Sequence, residues 1–297
     1  MDACDFVIPL HRYHSMVRTT VEAIGSFYNP RTIYIITPEK YSIDIQTSSE
    51  SWNYTKVTVI PEESFFVNIY NLSKTTIQND LFNNTHDPRS REFGWWYQQI
   101  IKLGAFRQIT GLSDPYVVWD SDLIPLVKWD IYNTGNYKFA LLQQSARSEW
   151  NVEQYKHSLE ALMGLTMIVP EGGGTFVPHH FVFHHQVLES IITMIEKRNG
   201  EPTWIHAIMG LSQRYFRFSE YIMVATFMKT YFPELLHYYN FDEYGFSGQR
   251  IREPASLLKK ITENCTIDEI GLSYDQFCGF ICSNYANIPS YMQLEHI

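Results

Sequence analysis

A doubly wound, mostly parallel α/β sheet flanked by helices is the fold the sequence predicts, and three observations predict it. Short apolar runs at residues 5–10 (DFVIPL), 32–36 (TIYII) and 57–60 have the length and β-branched content of buried strands. Between the first two, Met16, Thr20, Ala23, Ile24 and Phe27 recur at helical spacing, and Asn29-Pro30 ends that stretch with a turn. Strands alternating with helices imply parallel pairing through crossovers. A further apolar run at residues 116–119 (YVVW) ends directly in Asp120-Ser121-Asp122. Open α/β sheets bind their ligands beyond such carboxyl ends.

The rest of the chain is read in order. A helix is expected at residues 93–109 and a strand at 137–142. Gly172-Gly173-Gly174 breaks the chain before the aromatic stretch at 176–183. Helical patterns return at 186–198, 204–211 and 219–231. Residues 37–56 and 68–91 are polar with little periodicity, and the second stretch is expected to be a mobile loop that closes over a ligand. The C-terminal region is less regular. The expected organisation is a single domain over residues 1–297, with a nucleotide half to residue 125 and an acceptor half over 126–297.

Composition bounds the function. The chain has 297 residues, 45% hydrophobic and 19% charged, with a net charge of −9. That balance fits a globular protein with a large core. It argues against nucleic acid as a partner, because a phosphate backbone calls for a basic stripe. The 15% aromatic content suits core packing first and stacking platforms second. Cys4, Cys265, Cys278 and Cys282 contain no CxxC pair, so free buried thiols in a reducing compartment are expected rather than zinc. No apolar run approaches a membrane span and no secretory leader is visible. The expected location is cytoplasmic, although a Golgi-lumen enzyme trimmed of its anchor would read the same way.

Three segments carry chemistry. Asp120 and Asp122 at a buried strand's end can converge on Mg²⁺ or Mn²⁺, which take carboxylates together with substrate phosphates. Ser121 between them is counted with the donor contacts. On the helix GWWYQQIIKL, Trp95, Gln98 and Lys102 share one face at spacings of three and four, while Trp96, Ile100 and Leu103 share the face expected to pack on the sheet. Lys102 then becomes a donor to a diphosphate or sugar hydroxyl, against the plainer reading of a solvated lysine. The turn Pro9-Leu10-His11-Arg12-Tyr13-His14 follows the first strand, where Arg12 could meet phosphate and His11 or Tyr13 a base. Neither G-x-G-x-x-G nor a P-loop occurs, which weighs against dinucleotide and NTPase readings.

In this order, DFVIPLH, GWWYQQIIKL and VVWDSDLIP resemble the GT-A glycosyltransferases. Within them the chain looks most like poorly characterised DXD enzymes with a W-x-x-Q-Q-x-x-K helix, including those of large algal viruses that build capsid glycans. The resemblance spans roughly residues 5–232. It implies a Rossmann-like sheet, a Mn²⁺ or Mg²⁺ ion on Asp120 and Asp122, a nucleotide-sugar donor (commonly a UDP-sugar such as UDP-xylose) and a glycan acceptor. It also implies a base at a helix start. Ser219 reads as an N-cap, which makes Glu220 the candidate base of an inverting displacement. A late histidine often completes the metal shell in such enzymes, and His237 lies at the matching place in the order. His179, His180, His184 and His185 form a rival group, expected to line a sugar pocket rather than hold metal. Trp150, Trp204 and Tyr221 are candidate sugar platforms. A sugar nucleotidyltransferase, a glycoside hydrolase with two facing carboxylates and a non-catalytic carbohydrate-binding protein are the competing readings.

Overall fold

Strands form wherever consecutive positions are apolar, as a sheet covered on both faces requires. The computed structural model describes residues 4–82, 93–133, 136–140, 149–169, 176–213, 216–239, 249–251, 254–264 and 271–294. In chain order the elements are β1 (Asp5–Pro9), α1 (Val17–Tyr28), β2 (Ile33–Thr37), α2 (Glu39–Ser49), β3 (Val57–Pro61), α3 (Val67–Tyr70), α4 (Lys74–Thr76), α5 (Phe93–Gln108), β4 (Tyr116–Trp119), β5 (Leu123–Pro125), β6 (Tyr132–Asn133) and β7 (Asn136–Ala140). There follow α6 (Glu149–Met163), β8 (His180–Phe183), α7 (His185–Asn199), α8 (Trp204–Gly210), α9 (Glu220–Tyr231), β9 (Leu236–Tyr239), β10 (Gln249–Ile251), α10 (Pro254–Asn264), α11 (Tyr274–Asn284) and β11 (Tyr291–Leu294). The largest sheet has the order β3-β2-β1-β4-β8. Its β1, β2 and β3 pair in parallel, with Val7 opposite Tyr34 and Ile35 opposite Val59. The mostly parallel α/β architecture expected from the sequence is therefore the one observed.

The chain divides into two compact units. The first comprises Met1–Pro61, Val117–Asp130 and Asp242–Ile297. Here α1 ends at Asn29, whose left-handed φ of 41° stops the helix just before Pro30. The polar stretch after β2 folds as α2, which the sequence reading missed. That helix buries only Ile45 and Ser49, so it has no apolar stripe to read. It is tied to β3 by Gln46, which accepts from the Val59 amide at 2.9 Å. The C-terminal region, expected to be irregular, supplies two helices and two strands. Leu272, Phe277 and Ile281 pack with Met16 of the α1 approach and Ile124 of β5. β11 pairs antiparallel with β5, Met292 opposite Ile124.

The second unit comprises Glu62–Tyr116 and Ile131–Phe241. Its spine is α5, buried almost all round between Gln99 and Ala105. Gly104 is needed there: a Cβ would stand 2.6 Å from Phe66 Cε1 and 3.2 Å from Trp204 Cζ2. Residues 68–82, expected to be mobile, are instead ordered into α3, α4 and a π-helical turn at Ile77–Leu81. Ser73 caps α4 by accepting from the Thr76 amide at 3.0 Å. The remainder of that expected loop, residues 83–92, lies outside the described residues. β7 belongs to a separate three-stranded sheet, β6-β7-β9, and pairs in parallel with β9.

Candidate metal and donor site

All four residues of β4 are buried, and the strand stops where carboxylates begin. Every backbone carbonyl of the following turn is engaged. The Leu123 amide donates to Asp120 O at 3.1 Å and the Leu294 amide to Asp122 O at 3.0 Å. The Thr20 hydroxyl donates to Ser121 O at 2.8 Å. The Trp119 indole N–H donates to Leu123 O at 2.8 Å, closing the turn from beneath. The main chain is pinned at each residue of Asp120-Ser121-Asp122, so this is not the solvated surface turn that a D-x-D pair often is. Both carboxylates are half-buried.

Asp120 and Asp122 bring two carboxylates, one residue apart, to this pinned turn at the end of β4. His179 immediately precedes β8 and holds a left-handed φ of 61°. A non-glycine side chain there costs on the order of 1–3 kcal/mol, a strain that clusters at functional sites. The next residue steadies the segment: His180 is buried, and its Nδ1 is 2.9 Å from Pro178 O. The two hard carboxylates of Asp120 and Asp122 suit a divalent cation that keeps open positions for phosphate oxygens. The sequence reading put His179 in a sugar-lining cluster and gave the third ligand to His237. His237 sits in β9 opposite Lys138, and its side chain lies outside the described residues.

Lys102 and Glu220 were expected at two separate tasks, and the structure joins them. Lys102 Nζ donates to Glu220 Oε1 at 2.6 Å and to the Tyr221 hydroxyl at 3.2 Å, and stands 4.5 Å from the Tyr221 ring centre. Ser219 caps α9 as expected, accepting from the Ile222 amide at 3.4 Å. The Glu220 amide is taken by Gln99 Oε1 at 3.2 Å. The ammonium and the carboxylate are thus each other's partners in this geometry, a buried pair that ties α5 to α9. The sequence reading set Lys102 on one helix face with Trp95 and Gln98, whereas α5 is enclosed over that whole turn. Gln99, rather than Gln98, reaches α9; Trp95 and Gln98 are half-buried.

The turn after β1 is divided. Pro9 and Leu10 are buried, the Leu10 amide extending the sheet to Ile36 O at 2.8 Å, while His11 and Arg12 are exposed. Tyr13 meets Tyr41 of α2 with ring centres 6.3 Å apart. His14 is half-buried as a residue, but its Nδ1 is shut off from solvent and has no hydrogen-bond partner among the described residues. Burial lowers its pKa to about 4, so the ring is neutral at pH 7. At the end of β2, the buried Thr37 hydroxyl also has no partner among the described residues. Thr37 was missed because a threonine ending an apolar run carries no signal of its own.

The expected platforms fare differently. Trp204 and Tyr221 are fully buried, the former donating to the Tyr70 hydroxyl at 2.9 Å, so both pack rather than present a ring. The Trp150 side chain lies outside the described residues. Of the thiols, Cys4 is buried as expected, but Cys282 is exposed, and Cys265 lies outside the described residues. No helix among the described residues is long and apolar enough to cross a membrane.

Residues 9–258 match the model of a family described as Family of unknown function (DUF6492), and that stretch is most of the 297-residue chain. The chain belongs to that family. No curated protein matches the sequence. Among solved structures, an active-site mutant of LgtC superposes with a TM-score of 0.51 at 10% identity, covering 99% of this chain and 88% of that one. Mouse xyloside xylosyltransferase 1 in its apo form gives 0.46 at 9% identity over 100% and 98%. LgtC is titled a galactosyltransferase in a further structure with donor and acceptor sugar analogues. At these identities the likeness to LgtC bears on architecture. This DUF6492 member has the GT-A type of α/β fold, with a mostly parallel central sheet flanked by helices.

Proposed function

We propose that this protein is a metal-dependent glycosyltransferase, moving a sugar from a nucleotide-diphosphate donor to a glycan acceptor hydroxyl. The observation that carries the reading is the pinned turn that sets Asp120 and Asp122 at the end of a buried strand. In this reading the two carboxylates hold a divalent cation, Mn²⁺ or Mg²⁺, which takes such ligands together with substrate phosphates. An ion held there offsets the negative charge that develops on a departing diphosphate. The pinned turn orients both carboxylates before any ligand arrives, so little reorganisation is needed on binding. The ends of β1 and β2 supply the nucleoside contacts in this reading. Pro9 and Leu10 form the wall, His11 and Arg12 the exposed edge, Tyr13 is half-buried against Tyr41, and the Thr37 hydroxyl and the Nδ1 of neutral His14 are buried polar atoms without partners among the described residues. Ser121, Trp95 and Gln98 stay among the proposed donor contacts. Lys102 and Glu220 act as a positioning pair that fixes α9 against α5, not as proton carriers. A UDP-sugar, UDP-xylose included, is the proposed donor class.

The test is release of nucleoside diphosphate from a panel of UDP- and GDP-sugars, with Mn²⁺, with Mg²⁺ and with chelator. Metal-dependent cleavage of one donor is expected, and Asp122→Ala should lower it about 100-fold or more. Cleavage that survives both chelation and Asp122→Ala would overturn the reading.

A further inference from the structure

The second unit carries a concavity of about 910 Å³, open to solvent, bounded by the end of α6, the outer face of α7 and the end of α9. Its volume is that of a small-ligand site. Tyr231 lies about 16 Å along α9 from Glu220, at 1.5 Å per residue. Three features give the groove a chemistry. Its floor is aromatic: Tyr231 is 47% exposed, with its ring centre 4.8 Å from that of the buried Phe227. Its wall is a stripe of α7, where Glu189, Thr193 and Lys197 recur every four residues. The charge of Glu189 is already matched by Arg107, whose Nε donates to Oε2 at 2.9 Å.

The remaining charge on the wall is positive. Arg198 is fixed in place: its Nε donates to Ala161 O at 3.2 Å, and its guanidinium lies so close over Gly164 that a Cβ there would come within 2.9 Å of Nη1. Lys197 is exposed beside it, and no ion pair to Lys197 occurs among the described residues. In a chain of net charge −9, a groove with two cations and a matched carboxylate selects against neutral and cationic ligands.

We propose that this groove binds an oligosaccharide carrying an acidic group. A sugar face stacks on Tyr231, hydroxyls meet Thr193, and the carboxylate pairs with Lys197 and Arg198. Met163, Met194, Phe227 and Phe232 also line the groove, so an anionic acyl chain is the competitor that the test must separate from the acidic sugar.

Calorimetric titration of the full chain uses hyaluronan tetrasaccharide as the acidic probe, neutral chitotetraose and dodecyl phosphate. The acidic tetrasaccharide should bind tightest, and Tyr231→Ala and Lys197→Glu should each weaken it at least tenfold with melting temperature unchanged. Tyr231 ring resonances of the unaltered protein should shift on binding, which needs no variant. Absence of binding, equal affinity for chitotetraose, or preference for dodecyl phosphate would each overturn the proposal. Donor cleavage should be unchanged in both variants, so failure here is distinct from failure of the sugar-transfer reading.

Discussion

Lys102 and Glu220 form a closed ion pair between α5 and α9, 2.6 Å apart, with side chains only 3% and 4% exposed. Removing one partner strands the other in a dry interior, which costs about 3–5 kcal/mol, whereas removing both costs much less. Lys102→Met and Glu220→Gln should therefore each destabilise the protein strongly, and the double variant should recover most of the loss. Urea unfolding of the four proteins measures the coupling. A Glu220→Gln variant as stable as the parent would show that the carboxylate is not held in this way.

His14 makes folding sensitive to acid. The unfolded chain takes up a proton near pH 6.5, whereas the folded ring resists protonation until about pH 4. Between those values the unfolded state binds more protons, so stability rises with pH across the window and falls on acidification. The loss from pH 6.5 to 4 amounts to roughly 3 kcal/mol from this group. His14→Phe should flatten that part of the stability profile, and the difference between parent and variant isolates the term from carboxylate titration. Parallel profiles would mean that the ring is not buried as described.

Gly104 lies under the Phe66 ring edge and the Trp204 indole, so Gly104→Ala must displace packed rings. A loss of about 1–3 kcal/mol is expected, read as a lower urea midpoint with unchanged slope. A variant as stable as the parent would mean that the rings part at no cost.

The sequence made legible what periodicity and short-range chemistry encode. β1, β2, β4 and α1 could be read because their apolar positions recur at strand or helix spacing, and Asp120 and Asp122 because they follow a buried strand. α2 was invisible, since Ile45 and Ser49 alone are buried. Ile124 gave no hint that β11 would pair beside it from the far end of the chain. The Lys102–Glu220 pair was not legible, because its members stand 118 residues apart and no local pattern links them.

Direct Mn²⁺ binding, followed by electron paramagnetic resonance on the full chain with UDP present, tests the central claim. The account predicts one Mn²⁺ per chain, with affinity lowered about 100-fold by Asp122→Asn while the melting temperature in chelator is retained. Equal Mn²⁺ affinity in the parent and in Asp122→Asn would contradict it.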